Sequence, residues 1–259
     1  MQLYLPKDIL ATAGDMMLIY GDSGVGKSVS IMQTAPDPII YIMAEGRDVT
    51  KMLAAANRPD VKIKFGLYTT FDDLMETIVN ENFFSGARSV VLDSLTHIMG
   101  INLSDEILDE SFEAMDKSKQ DEKSLTLRVK MSREGYGTLA GQMLRLTNGF
   151  TKLSLKGITV ITIARSESAP KFNRALAAAP ALKGKEYLKY FAGFFDFIGY
   201  CEPRVVEGAM IYPPYVSFQD DGSFMSKWTG LMPAGGVYKK PLNITKILEV
   251  AHGKGGKKE

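Results

Sequence analysis

Residues 16–28 read MMLIYGDSGVGKS, an apolar run of strand length that passes directly into a glycine-rich turn. The turn fits the pattern G-x-x-x-x-G-K-[ST], in which backbone N–H groups curl around phosphate oxygens because small residues place no Cβ in the way. A strand before the pattern and a helix after it are the setting that the pattern requires. The sequence therefore predicts a phosphate-binding loop made of Gly21, Asp22, Ser23, Gly24, Val25, Gly26, Lys27 and Ser28.

The last two residues of this loop carry its functional side chains. Lys27 is expected to reach the β- and γ-phosphates, and Ser28 is expected to ligate Mg²⁺. Both lie at the predicted N-terminus of a helix, where the helix dipole favours anions. ATP and Mg²⁺ are therefore the expected cofactors.

Two carboxylates follow apolar strands further along the chain. Asp93 comes directly after the strand predicted at 89–92, and a P-loop enzyme needs a carboxylate at such a place to hold the magnesium shell. Glu45 follows the strand predicted at 39–43, from where a carboxylate can orient or deprotonate the water that attacks the γ-phosphate. We predict Asp93 as a metal ligand and Glu45 as a catalytic residue.

Two polar residues close to Asp93 allow more than one interpretation. Ser94 either extends the metal shell or takes no part in it, and the sequence favours neither. His97 invites a catalytic interpretation because histidine titrates near neutrality. The chain has only two histidines and no cluster of ligands at metal-binding spacing, so we expect an ordinary polar role for His97.

The other apolar runs alternate with helical stretches, which is typical of a parallel sheet with crossover helices. The run at 61–68 alternates like a half-buried or edge strand, and 71–80 has apolar residues at helical spacing. A loop at 133–137 is expected before a helix at about 138–153. Further strands are expected at 158–164, 194–200, 215–218 and 224–228. We predict an α/β fold with a mainly parallel, twisted central sheet flanked by helices.

Composition limits the class of protein. The 259 residues include 31 Lys and Arg against 30 Asp and Glu, a formal net charge of +1, so any nucleic-acid contact must come from local patches. The one cysteine, Cys201, cannot form an internal disulfide and is expected to be a buried apolar residue. We expect a single domain over 1–250 and a disordered basic tail at 251–259.

The sequence has no sign of a membrane protein or a secreted one. No apolar run reaches the ~18 residues that are needed to span a bilayer. The first ten residues lack the basic region and apolar run of a secretory signal. We expect a protein of the cytoplasm of a bacterium or a phage-infected host, without membrane contact.

Three stretches in this order resemble the core of RecA-type P-loop ATPases: YGDSGVGKS at 20–28, IIYIMAEG at 39–46 and VVLDS at 90–94. No N-K-x-D motif for base recognition follows them, which disfavours a GTPase. More closely, 14–230 resembles the compact RecA-like ATPases of bacteriophages, including the Sak-type single-strand annealing proteins. The features that carry this resemblance are AEG, DSLTHI, a Gly-Tyr-Gly stretch, PALKGK at 180–185, FFD at 194–196 and a late strand with Lys227.

The resemblance implies a site that is shared between subunits. In RecA-like assemblies ATP lies at the interface with a neighbour, which supplies a Lys or Arg to the γ-phosphate. The resemblance implies this catalytic role for Lys227, although Thr229 stands where family members often have a second basic residue. It also implies that Arg165 is a sensor that links the phosphate to a DNA-binding loop. We therefore expect a ring or filament of identical copies.

Two basic segments occupy the places where RecA-like proteins bind single-stranded DNA. Four Lys and Arg stand against one Glu at 123–136, and six stand against two Glu at 165–189. Basic residues with interleaved aromatic rings suit contacts to the nucleic-acid backbone combined with base stacking. The resemblance implies DNA contacts by Lys130, Arg133, Tyr136, Lys171, Arg174, Lys183 and Lys185.

An acidic stretch lies between the predicted strand that ends at Asp93 and these basic segments. Residues 105–122 hold eight acids against two lysines, a net charge of −6. A solvated helix is the first expectation for this stretch. A self-inhibiting screen and a partner site remain alternatives.

Together these features predict an ATP-dependent recombination protein that binds single-stranded DNA, promotes annealing or strand exchange and hydrolyses ATP between subunits. A single-strand-binding protein is an expected partner. Two alternatives remain open. One is a hexameric helicase or translocase motor, and the other is an ATP-gated regulator or loader of replication or recombination that hydrolyses slowly.

Overall fold

The computed structural model describes residues 13–80, 82–113, 131–169, 176–219, 223–233 and 236–253. Its strands are β1 (Met16–Gly21), β2 (Ile39–Met43), β3 (Ile63–Leu67), β4 (Ser89–Asp93), β5 (Thr159–Ala169), β6 (Leu176–Pro180), β7 (Phe197–Val206), β8 (Ala209–Ser217), β9 (Lys227–Trp228) and β10 (Lys239–Pro241). Its helices are α1 (Lys27–Thr34), α2 (Val49–Ala56), α3 (Phe71–Val79), α4 (Leu95–His97), α5 (Leu103–Glu113), α6 (Arg133–Leu155), α7 (Lys185–Phe194) and α8 (Ile244–Ala251). A π-helical turn, Ile98–Asn102, joins α4 to α5.

The central sheet has the strand order β10-β8-β7-β1-β5-β4-β2-β3. The six strands from β7 to β3 pair in parallel, whereas β8 and β10 extend the sheet in antiparallel fashion. β6 pairs with the end of β5, and β9 pairs with the start of β7. The predicted α/β fold with a mainly parallel sheet is confirmed.

Helices cover both faces of the sheet and divide the core into two layers. Along β1, every residue of which is buried, Leu18 and Tyr20 belong to the layer under α3, α5, α6 and α7. Met17 and Ile19 point to the opposite face and pack with residues of α1, α2 and α8. A strand that is buried on both faces must be apolar throughout, which explains the continuous run at its start.

The position of β1 determines where a ligand can bind. β1 lies between β5 and β7, and its parallel neighbours end at the same edge of the sheet. Ligands of open α/β sheets bind at this carboxyl edge, outside the strand ends. The loop at 21–28 and the residues that follow β2, β4 and β5 therefore converge on one region.

Several local predictions agree with the structure. β2 has the predicted bounds, and β3 lies at the end of the sheet order, as the alternating pattern at 61–68 indicated. α3 falls within the predicted 71–80. α5 begins at Leu103, two residues before the acidic stretch, and ends within it at Glu113, while 114–130 lies outside the described residues.

The loop expected at 133–137 is wrong, because these residues form the first turn of α6. Ser132 caps this helix, since its hydroxyl accepts a hydrogen bond from the N–H of Gly135 over 3.0 Å. A Cβ at Gly135 would lie 2.8 Å from Met131 Cγ, so glycine is there for close packing rather than for a turn. The capping hydrogen bond and this packing outweigh the low helix propensity of glycine.

The strand boundaries after 158 also differ from the predictions. β5 continues to Ala169, beyond the predicted end at 164, and pairs with β6, so a hairpin occupies part of the basic segment 165–189. Phe194 closes α7, and β7 therefore begins only at Phe197. The strand expected at 224–228 is shorter in the structure, because β9 contains two of these residues, Lys227 and Trp228. Phe224 forms an isolated bridge with Ala178.

The C-terminal helix α8 ends at Ala251, one residue beyond the domain boundary expected at 250, and 254–259 lies outside the described residues. Cys201 is buried, as expected. Within the described ranges, no helix combines the length and the apolar composition that crossing a membrane requires.

Two leucines of α6 give a matched test of the core. Leu146 is fully buried, whereas Leu155 at the end of the same helix is 61% exposed. We expect Leu146→Ala to lower the free energy of unfolding by ~2–5 kcal/mol, because the substitution leaves a cavity between helix and sheet. Leu155→Ala should change it by less than about 0.5 kcal/mol. Chemical denaturation measures both, and equal losses would contradict the helix orientation described here.

Candidate active site

A cleft opens at the carboxyl edge of the sheet, beside the loop that follows β1. Its volume is about 560 Å³, which lies within the range of about 300–1,000 Å³ that is usual for small-molecule sites. The loop and α1 form one side, and Glu45, Asp93 and Arg165 line it from the ends of β2, β4 and β5. The structure therefore brings together predicted residues from four separate stretches of sequence.

The glycines of the loop are required by its geometry. Gly26 adopts a left-handed conformation with φ of 95° at the start of α1. A Cβ at this position would lie 2.4 Å from a ring carbon of Tyr212, which reaches the loop from β8. The Tyr212 hydroxyl donates a hydrogen bond to the Gly24 carbonyl oxygen over 3.2 Å. The loop is thus held against an aromatic ring that leaves no room for a side chain at Gly26.

Lys27 lies within the loop and is nearly buried. Its Nζ donates hydrogen bonds to the carbonyl oxygens of Gly21 and Asp22, both over 2.8 Å. Burial is the largest influence and lowers the pKa of Lys27, while the nearby Asp93 and Asp22 act in the opposite direction. A phosphate in the loop would offer this ammonium group anionic oxygens in place of neutral carbonyl oxygens, and charge-assisted hydrogen bonds are the stronger kind.

Asp93 receives two hydrogen bonds on a single carboxylate oxygen. Ser28 Oγ donates to Asp93 Oδ2 over 2.6 Å, and the Tyr41 hydroxyl donates to the same atom over 2.7 Å. Burial and the neighbouring Asp93 charge raise the pKa of Tyr41 well above its usual value, so this hydroxyl remains a donor. The two predicted metal ligands are therefore in direct contact.

Glu45 lies among three nitrogen-bearing side chains from three different elements. Arg47 donates to Glu45 Oε2 through Nε over 2.7 Å and also through Nη2. On the other oxygen, Arg165 Nη2 lies 3.2 Å and His97 Nδ1 lies 3.3 Å from Oε1. Burial acts to raise the pKa of Glu45, but the hydrogen bond and charge of Arg47 and the charges of His97 and Arg165 outweigh it and lower the pKa. Glu45 is therefore an ionised carboxylate at neutral pH.

The two residues after Asp93 that the sequence left ambiguous have different positions. The Ser94 hydroxyl accepts a hydrogen bond from the N–H of His97 over 3.2 Å and so caps the short helix α4. Ser94 also lines the cleft. His97 makes a polar contact, since its Nδ1 lies 3.3 Å from Glu45 Oε1, and its ordinary polar role stays a prediction.

The β5–β6 hairpin contacts the cleft through two consecutive residues. Arg165 reaches Glu45, and its backbone N–H donates to Thr96 Oγ1 over 3.0 Å. The Ser166 hydroxyl donates to Asp22 Oδ1 in the phosphate-binding loop. The base of the hairpin is thus connected to both the loop and the predicted catalytic carboxylate.

The cleft is also lined by apolar groups beyond the loop. Met52 and Ala55 of α2 and Tyr212 and Pro213 of β8 are among its lining residues. Gln33 lines it from α1. Apolar lining suits the ring system of a nucleotide base, while the loop suits its phosphates.

Only part of the predicted DNA-binding set lies in the described chain. Arg133 and Tyr136 are exposed on the first turn of α6, and Lys183 Nζ donates to the Gly100 carbonyl oxygen over 3.2 Å. Lys185 is the first residue of α7. Lys130, Lys171 and Arg174 lie outside the described residues.

Lys227 makes a contact within its own chain. Its Nζ donates to the carbonyl oxygen of Ala192 over 3.1 Å, in the last turn of α7. A cation at this place interacts favourably with the C-terminal end of the helix dipole. This contact explains a lysine in β9 without a neighbouring subunit, and the role of Lys227 between subunits stays a prediction.

Four residues of the site were not predicted from the sequence. Arg47 and Tyr41 had usable signals, because Arg47 stands two residues after Glu45 and Tyr41 carries the one polar side-chain group of the run IIYIM. Ser166 follows the predicted sensor residue directly. Tyr212 had no local signal, since its contact with the loop depends on the pairing of β7 with β1 and of β8 with β7.

The strand, glycine loop and helix at 16–34, set in a parallel sheet with the Ser28–Asp93 pair across it, define a P-loop nucleoside triphosphatase fold. Comparison with known families agrees with this class. A family model described as an AAA domain matches residues 13–227, and the chain belongs to this family of P-loop ATPases. Nucleotide binding and hydrolysis are the activities of that class. No curated protein matches the chain.

Arg47 provides a test of the electrostatics around Glu45. Arg47→Met keeps the apolar stem and removes the guanidinium, so we expect the pKa of Glu45 to rise. The pKa of wild-type Glu45 is lower in the folded state than in the unfolded state. The interactions of the charged carboxylate therefore stabilise the fold fully at a pH above the unfolded-state pKa. This stabilisation is lost as the pH falls through the folded-state pKa. In the variant that contribution should shrink.

Carboxyl ¹³C NMR titration of Glu45 makes this measurement. Lys51→Met is a matched control, because Lys51 is an exposed cation whose partner is Asp48 at 3.7 Å. An unchanged Glu45 titration in Arg47→Met would show that Arg47 does not set the charge state of this carboxylate.

Proposed function

We propose that this chain is a Mg²⁺-dependent ATPase that binds single-stranded DNA, promotes annealing or strand exchange in recombination, and hydrolyses ATP between identical subunits. Membership of a P-loop ATPase family and the phosphate-binding cleft support the ATPase part. The resemblance to phage RecA-like ATPases and the connections of the β5–β6 hairpin support the DNA-dependent part.

The residues of the cleft fit Mg²⁺. Its usual sites have one or two carboxylates, with substrate phosphates and water completing the shell. Ser28 and Asp93 present oxygen atoms beside the loop, and the described residues contain no cluster of three or more His, Cys, Asp or Glu that would hold a metal by itself. Ser28 and Asp93 would hold Mg²⁺ here, and the ion would supply positive charge that offsets the charge of the phosphates.

The protein's own groups have distinct tasks in hydrolysis. Backbone N–H groups of the loop and the N-terminus of α1 bind the phosphates. Lys27 neutralises negative charge on the β- and γ-phosphates. Glu45 accepts a hydrogen bond from a water molecule and orients it for attack in line with the leaving group.

The single observation that carries coupling to DNA is the contact between Arg165 and Glu45 at 3.2 Å. Arg165 belongs to β5, which continues into the hairpin that forms part of the basic segment 165–189. A ligand that displaces this hairpin would move the guanidinium of Arg165 away from Glu45, the carboxylate that orients water. The rate of hydrolysis then depends on whether DNA is bound.

DNA-stimulated hydrolysis is the direct test of this proposal. We expect single-stranded oligonucleotides to raise the steady-state ATPase rate of the wild-type chain. Glu45→Gln should lower the stimulated rate by about 10²–10⁴-fold, which is the usual contribution of a positioned acid–base group. Phosphate-release assays with and without oligothymidylate measure both effects.

Glu249→Gln is the matched control, because Glu249 is exposed on α8 away from the cleft. Full activity of Glu45→Gln would contradict the role of Glu45. Hydrolysis that does not respond to DNA would contradict the DNA-dependent part and favour an ATPase switch controlled by a protein partner. Processive unwinding of duplex DNA would favour a helicase or translocase motor.

Mixing two inactive variants tests whether the site is shared between subunits. If Lys227 acts on the ATP of a neighbouring copy, Lys227→Ala and Glu45→Gln should each be inactive alone. An equimolar mixture should regain activity, because some interfaces then combine an intact Glu45 with an intact Lys227. A mixture that stays inactive, although both variants assemble by light scattering, would contradict catalysis between subunits.

A further inference from the structure

Gln33 is the residue of α1 that lines the cleft furthest from the phosphate-binding loop. It is exposed, and it lies between the nucleotide cleft and a neighbouring cavity of about 640 Å³ that it also lines. Ser30, one turn earlier on the same side of the helix, is buried and lines the cleft as well. Three polar residues of α1, Lys27, Ser30 and Gln33, therefore line the cleft at successive heights along the helix.

The spacing along this row matches the length of a nucleotide. Six residues separate Gln33 from Lys27, and at 1.5 Å per residue of helix this corresponds to about 9 Å. With the phosphates in the loop, a base extended along α1 would reach the part of the cleft that Met52, Ala55 and Pro213 help to line. Gln33 is then the amide group within reach of the edge of that base.

The inference about Gln33 rests on the nucleotide site of the proposed function. We propose that Gln33 determines base specificity by pairing with the N6 amino group and N7 of adenine. The glutamine amide offers one acceptor oxygen and one donor NH₂ group. Adenine presents the matching pair, a donor at N6 and an acceptor at N7. Guanine presents two acceptors, O6 and N7, so the amide satisfies only one of them.

The sequence motifs of the chain include none for base recognition, and Gln33 would supply that contact. The apolar lining of the cleft would bind any purine ring, because stacking and burial do not distinguish adenine from guanine. Hydrogen bonds to the base edge make that distinction, and a bidentate pair discriminates by about 1–3 kcal/mol. On this basis the wild-type chain should prefer an ATP analogue over a GTP analogue by about 5- to 150-fold.

Two substitutions of Gln33 separate specificity from affinity. Gln33→Leu keeps a similar volume and removes both hydrogen-bonding groups, so the preference for adenine should fall to near unity. Gln33→Lys supplies donors only, which match O6 and N7 of guanine, so the preference should shift towards guanine. The added charge attracts every triphosphate, and the ratio of the two affinities is therefore the diagnostic quantity.

Calorimetric titration with the imido analogues of ATP and GTP, in the presence of Mg²⁺, measures these ratios without hydrolysis. The 7-deaza form of ATP, which lacks the N7 acceptor, should bind less tightly than ATP to the wild type and equally to Gln33→Leu. Gln219→Lys is the matched control, because Gln219 is exposed outside the cleft and should leave the ratio unchanged.

The outcomes distinguish this inference from the function on which it rests. If both analogues bind and the ratio is the same in wild type, Gln33→Leu and Gln33→Lys, the role of Gln33 is overturned while the nucleotide site stands. If Gln33→Leu abolishes the preference and 7-deaza-ATP shows no loss in the wild type, the contact to N7 is overturned. If neither analogue binds the wild type, the nucleotide site itself is wrong.

Discussion

The hydrogen bond of 2.6 Å between Ser28 Oγ and Asp93 Oδ2 is the contact on which the geometry of the cleft depends. It joins the loop after β1 to the end of β4, although β5 lies between those strands in the sheet. The buried Tyr41 hydroxyl, on β2, binds the same oxygen from the other side. If Ser28 and Asp93 hold Mg²⁺ as proposed, the Tyr41 hydroxyl would still hold Asp93 in place when the Ser28 hydroxyl turns towards the ion.

The surroundings of Glu45 define what this carboxylate can do. Two guanidinium groups and an imidazole contact it, and together they hold its pKa below the usual value. A carboxylate stabilised in this way is a weak base, so in the described arrangement Glu45 orients water better than it removes a proton. Withdrawal of Arg165 would strengthen Glu45 as a base. Under the proposed function, this contact would be the physical route from the hairpin to the rate of hydrolysis.

Features that are local in sequence were predictable, and those that depend on distant pairing were not. The loop at 21–28, Glu45 and Asp93 follow directly from strand ends and side-chain type. Tyr212 was not predictable, because it reaches Gly26 only through the pairing of β7 with β1 and the β7–β8 hairpin. The Gly-Tyr-Gly stretch was misjudged for another reason. Glycine indicates a turn in isolation, whereas Gly135 serves the packing of α6 against Met131 and Ile107.

The hairpin contacts explain how one strand can reach two parts of the cleft. Successive side chains of a strand point to opposite faces, so Arg165 and Ser166 necessarily project in different directions. Arg165 contacts Glu45, and Ser166 contacts Asp22 in the phosphate-binding loop. A shift of β5 by one residue would exchange the two faces and break both contacts together. The phosphate-binding loop and Glu45 are therefore joined to the same strand, and a ligand that displaced the hairpin would act on both contacts through a single displacement.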